Sequence, residues 1–216
     1  MNEIFDVLID ITVYASVVCI ILYLKGFVVN NKAFKFFTLY LLAVALVQIC
    51  MRIHGHLTDS APNLHFFVYY FVSEFILLSL FYKQLLGYKV IYVITGCVLG
   101  FIAAQYIIDQ SMYYRYNPIG SSITRIIIVC YSLLYLYKSL SHGKEFLIVN
   151  VGVFIYFLSS VLIFASGNLV FDAKFSDVIA QVLLDMNGVL YLVFQLLIIV
   201  EWYRNYRKPV TTVINS

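Results

Sequence analysis

Charge is scarce in this chain. Asp, Glu, Lys and Arg make up 12% of its 216 residues, about half the share of a soluble domain, and the mean hydropathy is +0.93. That deficit excludes an ordinary water-soluble globule, because one small core cannot absorb 63% hydrophobic residues. Proline is nearly missing as well: Pro62, Pro118 and Pro209 lie outside the apolar runs, so no helix interior is kinked by proline. Cys19, Cys50, Cys97 and Cys130 fall in four different runs with no C-x-x-C pair, which argues against a disulfide frame or zinc knuckle and predicts buried thiols. H-E-x-x-H, G-x-S-x-G and P-loop motifs are all absent, so familiar hydrolase and nucleotide chemistry finds no support and no cofactor is expected. The net charge of +3 comes without a basic block or stripe, which excludes a nucleic-acid partner. The opening MNEIFDVLID lacks the basic start of a signal peptide, and the first helix is expected to be retained.

What is present is a series of apolar runs. A helix needs about 20 mainly apolar residues to cross the hydrocarbon, and seven segments qualify: 5–24, 36–53, 65–82, 90–108, 121–137, 147–166 and 179–202. No connection is long enough to separate two domains, so residues 1–216 read as a single all-α, seven-transmembrane-helix bundle. Lys25, Lys32, Lys35, Lys83, Lys89, Lys138, Lys144, Arg204, Arg207 and Lys208 fall on one side of it, and Arg52, Arg115, Arg125 and Lys174 on the other. The positive-inside rule then predicts a bacterial inner (plasma) membrane protein with its N-terminus outside and C-terminus cytoplasmic. Trp202, Tyr203 and Tyr206 among arginines read as an interfacial anchor.

A constant offset pairs Ile11-Thr12 with Ile123-Thr124, Leu22-Tyr23-Leu24 with Leu134-Tyr135-Leu136, and Gly55 with Gly167; with one residue of slack Glu74 meets Asn187. This suggests a parallel 3+1+3 repeat with the fourth span as connector. In that arrangement the chain is similar to the SWEET and PnuC transporters. It departs from their motifs, since no span contains proline and the only tryptophan is Trp202. Glu-Phe in an aromatic third span and Asn in the seventh resemble small bacterial seven-helix membrane proteins. Rhodopsin chemistry is excluded, because the seventh span offers no lysine for a Schiff base.

Polar groups inside the spans are the remaining signal. FVYYFVSEFILLSLFY carries Glu74 about 10 residues, or roughly 15 Å, from its outer end, where an acid costs about 2–4 kcal/mol. Tyr70 lies one turn above it. Gln181, Asp185, Gly188, Tyr191 and Gln195 fall within about 120° of the last span, with Asn187 at the edge. Arg125, Ser121 and Ser132 align on the fifth span, Asp10 on the first, Gln48 and Arg52 on the second; Gln105 and Ser159-Ser160 complete the set. Because most of these lie in the outer half, they predict an outward-open polar pocket formed by Asp10, Gln48, Arg52, Tyr70, Glu74, Gln105, Arg125, Gln181, Asp185, Asn187 and Tyr191, with Glu74 close to Arg125 or the seventh-span stripe. The structural alternative is that acid–arginine pairs and amides only set helix register.

His54, His56 and His65, with Asp59, are the metal candidates at the outer mouth. TGCVLG in the fourth span predicts a close helix contact. Three functions fit. The first is binding of a small ligand for sensing or transport, with the bilayer and a membrane or signalling protein as partners. The second is an intramembrane enzyme, acid–base or metal-assisted, and the third is an accessory or scaffold subunit.

Overall fold

The computed structural model describes residues 3–57, 64–114, 117–141, 145–165 and 177–207. Among them are seven α-helices and no strand: α1 (Glu3–Gly26), α2 (Lys32–Leu57), α3 (Leu64–Leu86), α4 (Val90–Ile108), α5 (Pro118–Ser139), α6 (Leu147–Ala165) and α7 (Asp177–Asn205). A short 3-10 helix, Gln110–Tyr114, follows α4. Five helices are long and apolar enough to cross a membrane, within Lys32–Gly55, His65–Leu86, Val90–Ile108, Pro118–Ser139 and Asp185–Asn205, and Leu147–Ile163 is a shorter apolar helix.

The ends follow local chemistry. Asn31 accepts a hydrogen bond from the Phe34 N–H at 3.0 Å, capping the first turn of α2. Asn117 does the same for Gly120 at 2.8 Å, with Pro118 at the first helical position of α5. Gly87 takes φ +81° between α3 and α4, a left-handed turn that only glycine adopts cheaply. Lys138 of α5 donates to the last carbonyls of α3, Leu85 and Leu86, both at 3.0 Å.

Six helices close a ring in the order α1–α2–α3–α5–α6–α7, with α7 against α1, while α4 packs outside on α3. Paired contacts give the directions. Glu74 with Arg125, Tyr82 near Ser132 and Leu85 with Lys138 advance together, so α3 and α5 are parallel. Ser16 with Gln195 and Tyr23 with Ile198 make α1 and α7 parallel as well. Each triplet therefore has the same neighbours: first on second, second on third, and third on the first of the other triplet. That is the topology expected of a 3+1+3 chain.

The end of the ring rich in lysine and arginine is filled by rings. Tyr23 stacks on Phe34 at 4.9 Å, Phe34 meets Tyr206 at 4.7 Å, Phe37 meets Phe81 at 5.2 Å and Phe81 meets Phe146 at 5.1 Å. Tyr206 is partly buried against this core, and Tyr203 lies under Arg207 at 4.5 Å. Of the cysteines only Cys19 is buried, and Cys50, Cys97 and Cys130 lie on exposed helix faces. The expectation of four buried thiols fails because a bilayer accepts an apolar thiol on the lipid side as readily as the core does.

The glycines of TGCVLG make no close helix contact among the described residues, since a Cβ added at Gly96 or Gly100 would meet nothing within 4 Å. The tight approach is at Gly152 of α6, where a Cβ would meet the Phe194 ring at 2.8 Å and Leu197 at 3.1 Å. Phe194 cannot turn away easily because it stacks on Tyr156 at 5.5 Å and 6°. Gly152→Ala is expected to cost about 1–3 kcal/mol in thermal denaturation of the detergent-solubilised protein. Gly96→Ala should be neutral or slightly stabilising; equal melting of the two variants would refute this α6–α7 packing.

Candidate functional site

Buried polar side chains in this bundle divide into two groups by how completely they are hydrogen-bonded. The first group is saturated. Asn150 on α6 accepts from the Tyr82 hydroxyl at 2.6 Å and donates to Ser132 O at 3.1 Å, while Ser132 Oγ donates back to Asn150 O at 3.1 Å. Glu201 on α7 is 0% exposed and accepts from the backbone N–H groups of Phe146, Ile148 and Val149 at 3.0, 2.9 and 3.4 Å. It also accepts from Asn205. Glu201 therefore caps the start of α6 from a neighbouring helix, where a negative charge is favoured by the helix dipole. These groups tie α3, α5, α6 and α7 together, and their valences are filled.

The second group is less completely bonded and also includes Ser79, Tyr131, Ser160, Asn187 and Gln195; Glu74 and Arg125 are its charged members. Both side chains are 3% exposed, yet Glu74 Oε2 lies 3.8 Å from Arg125 Nε, too far for a good hydrogen bond. Glu74 Oε1 is buried and accepts no hydrogen bond from the protein. Arg125 also approaches the Phe67 ring at 6.0 Å. Tyr70 presents its hydroxyl to Glu74, and Tyr156 of α6 presents its own to Tyr70. Tyr40 of α2 and Tyr191 of α7 also face the carboxylate. Five of the six ring helices thus bring a side chain into the neighbourhood of one acid, and the Glu74–Arg125 pair spans the α3–α5 seam where the two triplets meet.

The remaining predicted residues disperse. Asp10 and Arg52 pair at 2.5 Å near the other end of the ring, with side chains 49% and 42% exposed. Gln48 stands one turn from Arg52 on α2 and reaches Tyr191. Asn187 keeps a buried Oδ1 with no hydrogen bond. Gln105 sits on α4, outside the ring, and accepts from Asn117 at 3.1 Å, so it steadies the cap of α5. Asp185 lines a cavity of about 630 Å³ between α6 and α7, walled by Leu162, Ile163, Met186 and Val189. The Gln181 side chain is outside the described residues. Other spaces of about 570 and 550 Å³ lie beside α4 and at the lysine-rich end, and neither is lined by Tyr70, Glu74, Arg125 or Asp185.

His54 and His65 come together, their ring centroids 5.2 Å apart, but the His56 side chain and Asp59 fall outside the described residues. Among the described residues no group of three metal-ligating side chains exists. Tyr40, Tyr156 and Glu201 are the functional-looking residues that sequence reasoning passed over. The i, i+4 progression Tyr40–Val44–Gln48–Arg52 was the available signal for the first. No family model, curated protein or solved structure matches this chain.

Proposed function

We propose that this is an integral membrane protein that binds a small polar ligand at the Glu74–Arg125 pair, and that it serves transport in preference to sensing. One observation carries the reading: in a bundle whose other buried acid, Glu201, has every valence filled, Glu74 keeps an unfilled oxygen and a long ion-pair distance. A buried charge held so loosely is costly as a helix staple, and intramembrane acids that are not saturated mark ligand or ion sites. The seam between two equivalent triplets, near the bilayer midplane, is where repeat-built transporters hold their substrates, which supports transport over sensing. On this reading the lysine-rich face is cytoplasmic and the Asp10–Arg52 end faces outside, in a bacterial plasma membrane. The packed cluster is the occluded form.

The test is a thermal-shift screen of the detergent-solubilised protein against amino acids, amines, carboxylates and nucleosides. At least one class should raise the melting temperature of the native chain and leave Glu74→Gln unmoved. An equal shift in Glu74→Gln, or no shift by any class in the native chain, would sink the proposal.

A further inference from the structure

Polar side chains line the way from the half-exposed end of the ring toward Glu74. It begins at the Asp10–Arg52 pair, whose side chains are 49% and 42% exposed. One turn inward on α2, Gln48 bonds the Tyr191 hydroxyl, which also has Ser16 and Gln195 as partners. The Tyr191 ring lies 5.4 Å from that of Tyr156. Tyr156 bonds Tyr70, and Tyr70 bonds Glu74. Beside Tyr191 is an enclosed space of about 10 Å³ bounded by Ser16, Tyr40 and Gln195, close to the size of one water molecule. Gln195 Oε1, buried and without a protein donor, borders it. Toward the other end the path stops, because Tyr23, Phe34, Phe37, Phe81, Phe146 and Tyr206 fill the ring.

From this geometry we infer that Glu74 is a proton-binding site, loaded from the Asp10–Arg52 end through Tyr191, Tyr156 and Tyr70. A hydroxyl both donates and accepts, so each tyrosine takes a proton on its oxygen as it passes its own onward, the step from Tyr191 to Tyr156 requiring their hydroxyls to swing together because only the rings are in contact. The last proton comes to rest on the Glu74 carboxylate. One proton leaves the water at the mouth and one arrives at the carboxylate; no electron moves, and the pair passes from zero net charge to the single positive charge of Arg125. The groups facing Glu74 are Tyr40 from α2, Tyr70 from its own helix, Arg125 from α5, Tyr156 from α6 and Tyr191 from α7. Among the described residues α4 contributes none. Among the described residues Arg125 is therefore the one charge paired with Glu74. The proton is the coupling ion of the site proposed above. The inference rests on that site being functional, but its test needs no ligand.

The experiment is infrared difference spectroscopy on the full chain in lipid nanodiscs after a rapid drop in pH. A carbonyl stretch of a protonated carboxylic acid should appear in the native chain and be missing in Glu74→Gln. If Glu74→Gln fails to assemble, Glu74→Asp serves instead by moving the frequency of that stretch. Tyr156→Phe and Tyr70→Phe keep the packing, and should leave the band's final size intact while slowing its rise by about tenfold or more. Identical spectra for the native chain and Glu74→Gln would overturn the proton site. A native-rate rise in both phenylalanine variants would overturn the path. A solute that still shifts the native melting temperature in either case would leave the ligand site standing.

Discussion

Replacing Glu201 with leucine is expected to lower the stability of the folded protein by about 3 kcal/mol or more, the largest loss from any single residue outside the central pair. The carboxylate is wholly buried and receives three backbone N–H groups at the start of α6. Leucine would fill the space and leave those donors without an acceptor, each costing about 1–3 kcal/mol if still shut off from water. The first of them belongs to Phe146, which adopts φ +55°, a left-handed conformation that a bulky residue holds only when its surroundings enforce it. Two constraints enforce it here: the bond to Glu201 and the burial of the ring among Phe34, Phe37 and Phe81. Glu201→Gln keeps one acceptor oxygen and should lose about half as much. Thermal melting supplies the magnitude, and hydrogen exchange the mechanism, with Phe146, Ile148 and Val149 amides exchanging first in the leucine variant. Exchange that quickens evenly along the chain would mean that Glu201 does not cap α6.

Glu201 also shows where sequence reasoning stops. An acid followed by Trp202 and Tyr203 at the end of a span looks like part of an interfacial anchor. Its partner is a backbone turn more than 50 residues earlier, and no spacing within α7 encodes that. The seven helices themselves were legible, because apolar length is a local property and basic residues cluster at helix ends for physical reasons. Glu74 with Tyr70 was legible too, being an i, i+4 pair, and Arg125 was a correct neighbour on depth alone. The position of α4 was not. Expelling it from the ring brings α3 against α5, removes Gln105 from the site and leaves Gly96 and Gly100 without a helix to approach. Depth and helical angle place residues on one helix; they do not say which helices are neighbours. The four tyrosines around Glu74 were hidden by abundance, since 19 tyrosines make any single one look like packing.

Arg125→Met is expected to be the most damaging change at the centre of the bundle, costing about 3–5 kcal/mol, because it leaves a buried carboxylate without its cation. Glu74→Gln alone should cost less, since the guanidinium keeps its other contacts, among them the Phe67 ring. The double variant Glu74→Gln, Arg125→Met should recover most of the loss of Arg125→Met, as neither residual group is then charged, and the recovered part is the coupling energy of the pair. Acidification should rescue Arg125→Met in the same direction, because a neutral carboxylic acid needs no cation. The comparison separates two accounts of one contact. If the pair only fixes helix register, coupling is large, and the double variant both melts and functions like the native chain. If the pair is the site, the double variant melts near the native temperature and is inactive. On the proposed reading stability and activity at this seam rest on the same two side chains, and the double variant lets them be read apart.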